Sequence, residues 1–178
     1  MIDVTTDILY QIGPLPHANA DVVCGIAPCI NDRQGEAKLN TPLRMAHFLA
    51  QAAHETDGFK TLLEYASGKA YEGREDLGNT EPGDGIRYRG RGIFQLTGRA
   101  NYKQFGRALK LDLVGIPMLA FEPDIAVRIA MLFWDAKKLN DFADRDDLKG
   151  ITRRINGGYN GLDSRAVYLE RAKKALGI

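Results

Sequence analysis

Cysteine is scarce: Cys24 and Cys29 are the only two in 178 residues. With His17 as the nearest possible third ligand they are too few for a zinc site, and two reduced thiols are expected. A disulfide between them would close only a small loop. Long apolar runs are missing as well. No stretch reaches the roughly eighteen residues of a membrane span, so stable membrane insertion is not expected. The start, Met1-Ile2-Asp3-Val4-Thr5-Thr6-Asp7, carries acids where a signal peptide needs a basic region, so export is expected to need outside help. Nor is there an excess of one charge. Lys+Arg number 24 against 23 Asp+Glu, a net charge of +1, so no global field drives the chain onto nucleic acid or an anionic membrane. The glycine-rich middle lacks a closing Gly-Lys-Ser/Thr and has no GxGxxG after a strand, which leaves nucleotide binding unsupported. HExxH, GxSxG and paired Cys/His spacings are also absent, removing the metalloprotease, serine-hydrolase and zinc readings.

What is present fits one compact unit, residues 1–178, 44% hydrophobic and long enough to bury a sizeable core. Thr5 or Thr6 can cap a first helix carrying Ile8, Leu9 and Ile12, which Gly13-Pro14 stops. Thr41-Pro42 is a stronger start, opening a helix from Leu43 to Glu55 that is apolar on nearly every side and therefore expected inside the protein. From Gly68 to Gly98 the pattern changes to glycine, charge and short β-like runs, which predicts loops with at most a small hairpin. Helical spacing returns after Glu122-Pro123 through Ile125, Ile129, Leu132, Ala136 and Leu139, and again at Leu148, Ile151 and Ile155 until Gly157-Gly158. Asp163 or Ser164 can cap a last helix through Val167, Leu169, Ala172 and Leu176. The class is mainly α with a minor β element.

Glu55 stands out because it ends an otherwise apolar helix with Phe48, Gln51 and Ala52 on roughly its own side. Burial there would raise its pKa and suit it to general-acid work; the alternative is an ordinary surface carboxylate at a helix end. His54 beside it reads first as a packed histidine. A second carboxylate would complete the pair used in glycoside hydrolysis, with Glu64, Glu72, Glu75 and Asp76 as candidates. On a strand Gln95 and Thr97 would share one face, lining a groove or facing solvent from an edge strand. Asn101, Asn156 and Asn160 are amides suited to sugar hydroxyls or to turns. Arg87, Arg89, Arg91, Arg99, Lys103, Arg107 and Lys110, interleaved with Tyr88, Phe94, Tyr102 and Phe105, make the best nucleic-acid argument. The near-zero net charge argues against it, and a basic face equally suits an anionic polysaccharide.

At His54-Glu55-Thr56-Asp57-Gly58-Phe59, together with the run from Tyr88-Arg89-Gly90-Arg91-Gly92 through Gln95-Leu96-Thr97-Gly98 to Asn101-Tyr102, the sequence resembles glycoside hydrolase family 19, which contains plant chitinases and phage or prophage endolysins. The likeness continues through Tyr71-Glu72-Gly73-Arg74-Glu75-Asp76-Leu77-Gly78-Asn79 and Ile155-Asn156-Gly157-Gly158 and covers most of residues 41 to 171.

The resemblance implies a mainly α (α+β), lysozyme-like single domain of two lobes flanking a substrate groove. It also implies inverting hydrolysis of β-1,4 linkages between amino sugars. Glu55 is then the general acid, and Thr97 helps hold the attacking water. Gln95, Asn101 and Asn156 fall on substrate-binding positions, with His54 and Tyr88 in the matching motifs and Arg165, in Asp163-Ser164-Arg165, as a further groove residue. The cysteine-containing loop that holds the base in plant enzymes is absent, so Glu64 is assigned as base with Glu72 in reserve. An inverting mechanism would set the two carboxylates about 6.5–9.5 Å apart.

Small size, few cysteines and no signal peptide favour an endolysin, an N-acetylmuramidase of peptidoglycan, over a chitinase or a non-enzymatic binding module. A monomer is expected, made in a host cytoplasm and reaching the periplasm and wall after a holin opens the inner membrane. The basic segment around Arg87 to Arg91 would meet the acidic peptide stems. Acid/base hydrolysis asks for no cofactor or metal.

Overall fold

A computed structural model describes residues 2–14 and 16–178. Its helices are α1 (Thr6–Ile12), α2 (Ala20–Arg33), α3 (Pro42–Glu55), α4 (Asp84–Arg87), α5 (Arg99–Leu109), α6 (Pro123–Ala136), α7 (Asn140–Ala143), α8 (Leu148–Asn156) and α9 (Leu162–Ala175), with short 3-10 turns between α3 and α4 and before α6. Among the described residues no strand forms. The expected hairpin is reduced to two isolated bridges, Leu63 with Arg91 and Arg91 with Leu96. None of the described helices is long and apolar enough to cross a membrane.

The chain forms two compact units, one of Met1–Thr61 with Met131–Ile178 and one of Leu62–Ala130, and the second of the two chain crossings between them falls inside α6. The first unit is organised by α3. Thr41 caps it by accepting the Arg44 amide at 3.2 Å, and Pro42 stands where a missing N–H costs nothing. Every residue from Met45 to Ala53 is buried, as expected of a helix apolar on all sides. Phe48 meets the edge of Trp134 at 5.4 Å, and the Trp134 indole N–H donates to Asn140, whose own amide donates to the Ala37 carbonyl. Buried His47 bonds Asp146 at 2.7 Å, and burial holds its imidazole below the ordinary value. The α9 helix packs along α3. It starts at Leu162 after Gly161, earlier than the expected Asp163 or Ser164 cap and without a side-chain cap; the Ser164 hydroxyl pairs with His54 instead. No disulfide forms: Cys24 and Cys29 are thiols, and Cys29 donates to the Gly25 carbonyl.

The second unit holds the glycine-rich segment and α5. Its structural centre is buried Asp84, which accepts from Arg99 Nε at 2.7 Å and Nη2 at 2.5 Å. The Arg99 hydrogen bonds hold the Asp84 carboxyl below the carboxylate range despite its burial. A carboxylate depressed in the fold adds stability above its unfolded value, and that stability is lost as the pH falls through the depressed one. Asp84→Asn is therefore expected to destabilise by about 1–3 kcal/mol at pH 7, and the gap to wild type should shrink below about pH 4. Urea unfolding at pH 7 and pH 3 checks this; a gap of equal size at both would remove the ion pair as its cause.

Candidate active site

In the first unit, Gln51 and Glu55 lie one helical turn apart on α3 and so share a face. Arg165, in the first turn of α9, reaches both. Its Nη2 donates to Glu55 Oε1 at 2.5 Å and its Nη1 donates to Gln51 Oε1. The Arg165 side chain is 1% exposed and that of Glu55 20%. The surroundings expected for Glu55 were apolar; it meets a buried guanidinium instead. The Nε of Arg165 and the Nε2 of Gln51 are buried without a partner among the described residues, an incompletely satisfied polar cluster of the kind functional sites keep.

Next to Glu55, half-buried His54 pairs through Nδ1 with Ser164 Oγ at 2.5 Å. Burial first, and then the Arg165 charge, hold this imidazole below its ordinary value, with Glu55 opposing. Gly161, at φ +73°, lies so close that a Cβ there would collide with the His54 ring, so glycine is required. After Glu55 the chain turns sharply. Thr56 Oγ1 donates back to the Ala52 carbonyl and accepts the Phe59 amide, while Asp57, Gly58 and Phe59 all take positive φ. Left-handed backbone at buried Phe59 costs about 1–2 kcal/mol, and strain of this kind gathers at functional sites. Asn156 stands exposed at the end of α8, where Gly157 takes the left-handed cap conformation.

In the second unit the assembly is built around Gly90. Its N–H donates to Glu64 Oε2 at 2.8 Å, and its carbonyl accepts the Glu64 amide at 3.0 Å. The Tyr71 hydroxyl donates to Glu64 Oε1 at 2.7 Å, and chiefly for that reason its own pKa is pushed up to about 12. A Cβ on Gly90 would stand 2.5 Å from Gln95 Oε1 and 3.0 Å from Glu64 Oε2, so the missing side chain is what lets these two groups converge. From Gln95 the chain of contacts continues. The Thr97 hydroxyl donates to the Gln95 carbonyl at 2.8 Å, and the Asn101 amide donates to the Thr97 carbonyl at 2.7 Å.

The structure thus gathers Glu64, Gln95, Thr97 and Asn101 in one unit, and His54, Glu55 and Arg165 in the other. The strand that was to put Gln95 and Thr97 on one face does not form. Gln95 sits at φ +49°, which breaks the period-two alternation, and its Nε2 donates to the Gly92 carbonyl. Tyr88 is not at the surface: it is 1% exposed, meets the Tyr102 ring at a tilt of 54° and donates its hydroxyl to the Val114 carbonyl. Glu72 is exposed, and both of its oxygens close a loop by accepting the Gly83 and Gly85 amides at 2.6 and 2.8 Å. Of the basic wall expected at Arg87 to Arg91, Arg91 is buried and Arg87, though exposed, is tied to the backbone. Arg87 donates to the Val114 and Gly115 carbonyls, and buried Arg91 donates to the Arg87 and Arg89 carbonyls and the Tyr102 hydroxyl. Sequence reasoning gave no role to Gln51, Tyr71 or Gly90. A polar residue four places before Glu55 in an apolar helix was the available signal for Gln51; nothing local marks the other two. Among the described residues no cluster of three or more His, Cys, Asp or Glu could hold a metal ion.

The fold is that of the helical, lysozyme-like glycosidases. The family model "Chitinase class I", glycoside hydrolase family 19, matches residues 32–151. A glycosyl hydrolase family 19 domain-containing protein of Haemophilus influenzae is 32% identical over 181 residues, covering 84% of this chain and 86% of its own. An endochitinase of Pisum sativum is 29% identical over 171 residues and 75% of this chain, which spans about half of that enzyme's length, 53%. The structure of chitinase C from Streptomyces griseus superposes with a TM-score of 0.78 at 25% identity, over 99% of this chain and 77% of that one. The chain belongs to glycoside hydrolase family 19 and is a glycosidase.

Proposed function

We propose that this glycosidase is an endolysin, an N-acetylmuramidase that hydrolyses the β-1,4 glycan of bacterial peptidoglycan with inversion and lyses the host cell. Glu55 donates the proton to the leaving oxygen. Glu64 removes the proton from the attacking water, which Thr97 helps to hold, and Gln95, Asn101, Asn156 and Arg165 serve the sugar chain and the acid. The observation that carries hydrolysis is that two glutamates are each fixed by dedicated donors, Glu55 by Arg165 and Glu64 by Tyr71 and Gly90. Fixed positions are what proton transfer in a transition state requires. Glu64 is preferred to Glu72 as base because it shares Gly90 with Gln95, whereas Glu72 is committed to its loop.

Peptidoglycan is preferred to chitin on two grounds. The bacterial relative aligns over most of both chains while the pea enzyme is only half covered, and the chain has no cysteine after Cys29, unlike a disulfide-built secreted plant enzyme. Delivery through a holin-opened membrane to the periplasm follows from that reading. Chitin is the second reading, favoured by the chitinases named among the relatives. Digestion of purified Gram-negative sacculi, with muropeptides identified by mass spectrometry, should give products ending in reducing N-acetylmuramic acid. A higher kcat/KM on chitin oligosaccharides, with intact sacculi, would overturn the assignment.

A further inference from the structure

We propose that the pocket lined by Phe142, Lys149, Gly150, Arg153, Arg154 and Tyr159, within the first unit, is a subsite for the carboxylates of the peptide stems carried by the wall glycan. It rests on the peptidoglycan reading above.

The pocket has a volume of ≈ 620 Å³. Lys149, Arg153 and Arg154 are exposed, and among the described residues none of the three is in an ion pair. Of the acids just before α8, Asp144 holds Arg44 through both oxygens and Asp146 holds His47 and Lys173, while Asp147, the one acid lining the pocket, caps α8 by accepting the Gly150 amide. Three cations against one lining carboxylate leave positive charge over here, whereas in the second unit Arg87 and Arg91 are tied to carbonyls and Arg74 and Arg99 to carboxylates. Basic residues in the last turn of a helix complement its dipole, which accounts for Arg153 and Arg154. It does not account for Lys149, which stands in the first turn against the dipole.

The floor is rigid. Arg145 and Arg154 lie 5.3 and 5.6 Å from the centre of the Phe142 ring, and a Cβ on Gly150 would collide with that ring and with the capping Asp147 carboxylate. Tyr159, 54% exposed, adds an aromatic face at the rim, and Asn156, a sugar-binding candidate, is in the same helix as the three cations. Guanidinium forks match carboxylates in pairs. With a net charge of only +1 across the chain, a few carboxylates on a short stem suit this patch better than a long phosphate polymer, which would reward a wider basic surface.

The test uses the full chain and labelled glycan oligomers, either bearing tripeptide stems or stripped of them by an amidase, with binding read by fluorescence anisotropy and cleavage by chromatography. The Lys149→Gln/Arg153→Gln/Arg154→Gln variant should bind stem-bearing oligomers about tenfold more weakly and stripped ones unchanged. Lys149→Gln alone, which leaves the Phe142 contacts intact, should lose about threefold, and added salt should weaken wild type more than the triple variant. Equal loss on both oligomers, no loss on either, or tighter binding of single-stranded DNA than of stem-bearing glycan would overturn the subsite. Wild type that binds stems through these residues without cleaving the glycan would sink the muramidase reading and keep the subsite. Wild type that cleaves while the variants match it would do the reverse.

Discussion

Glu55→Gln is expected to lower kcat on sacculi by about 10²–10⁴ while the protein stays folded. The amide removes the transferable proton, yet its oxygen can still accept from Arg165 Nη2. The Glu55 side chain is one-fifth exposed and the amide oxygen keeps the hydrogen bond, but Arg165 is left buried without its counter-charge, so the loss of stability should be about 1–2 kcal/mol. Glu64→Gln should fall by a similar factor for the complementary reason, that an amide cannot take a proton from water. Its geometry also survives substitution: the amide oxygen can face the Gly90 N–H, and the Tyr71 hydroxyl can rotate to accept from the new NH₂. Thermal unfolding by circular dichroism alongside turnover separates chemistry from folding. A folded Glu64→Gln enzyme within about threefold of wild type would return the base to Glu72, and a folded Glu55→Gln enzyme with that activity would end the general-acid assignment.

How far such roles can be read without a structure depends on the range of the interaction. Capping is local, so Thr5 and Thr41-Pro42 announced their helices, and the apolar circumference of residues 43–53 announced that α3 is buried. The α5 helix was not anticipated, because its buried stripe of Tyr102, Gly106 and Leu109 is thin and set among Arg and Lys. Pro28 similarly obscures α2. The Arg87–Lys110 cluster misled most. Sequence displays seven cations but not the carbonyls of Val114, Gly115 and Arg89 or the Asp84 carboxylate that absorb several of them. Gln95 failed for another reason: a non-glycine residue at positive φ is uncommon, so alternation was the better guess there. Glu55 was legible as a residue, but its environment depends on Arg165, 110 residues away.

That long-range contact makes Arg165 the position outside the glutamates where substitution should matter most. Arg165→Leu removes the donor to Gln51 and Glu55 together and leaves the buried Gln51 oxygen without a partner. Breaking a buried pair costs about 3–5 kcal/mol, and the partial exposure of Glu55 places this case near the lower end, about 3 kcal/mol. For a chain of this size that corresponds to a fall in Tm of about 6–12 °C. Arg165→Lys should recover part of the stability and little of the turnover, because a point charge cannot span both acceptors as the planar fork does. Measured well below its Tm, Arg165→Leu should still show reduced kcat if the arginine fixes the Glu55 carboxyl for proton transfer; normal kcat under those conditions would reduce it to a packing residue. The two roles also separate in a double-mutant cycle. The stability lost on Arg165→Leu should be about 1 kcal/mol smaller in the Glu55→Gln background, since the charge-assisted part of the pair has already gone. An unchanged loss would assign the whole effect to Gln51 and to the space the side chain fills.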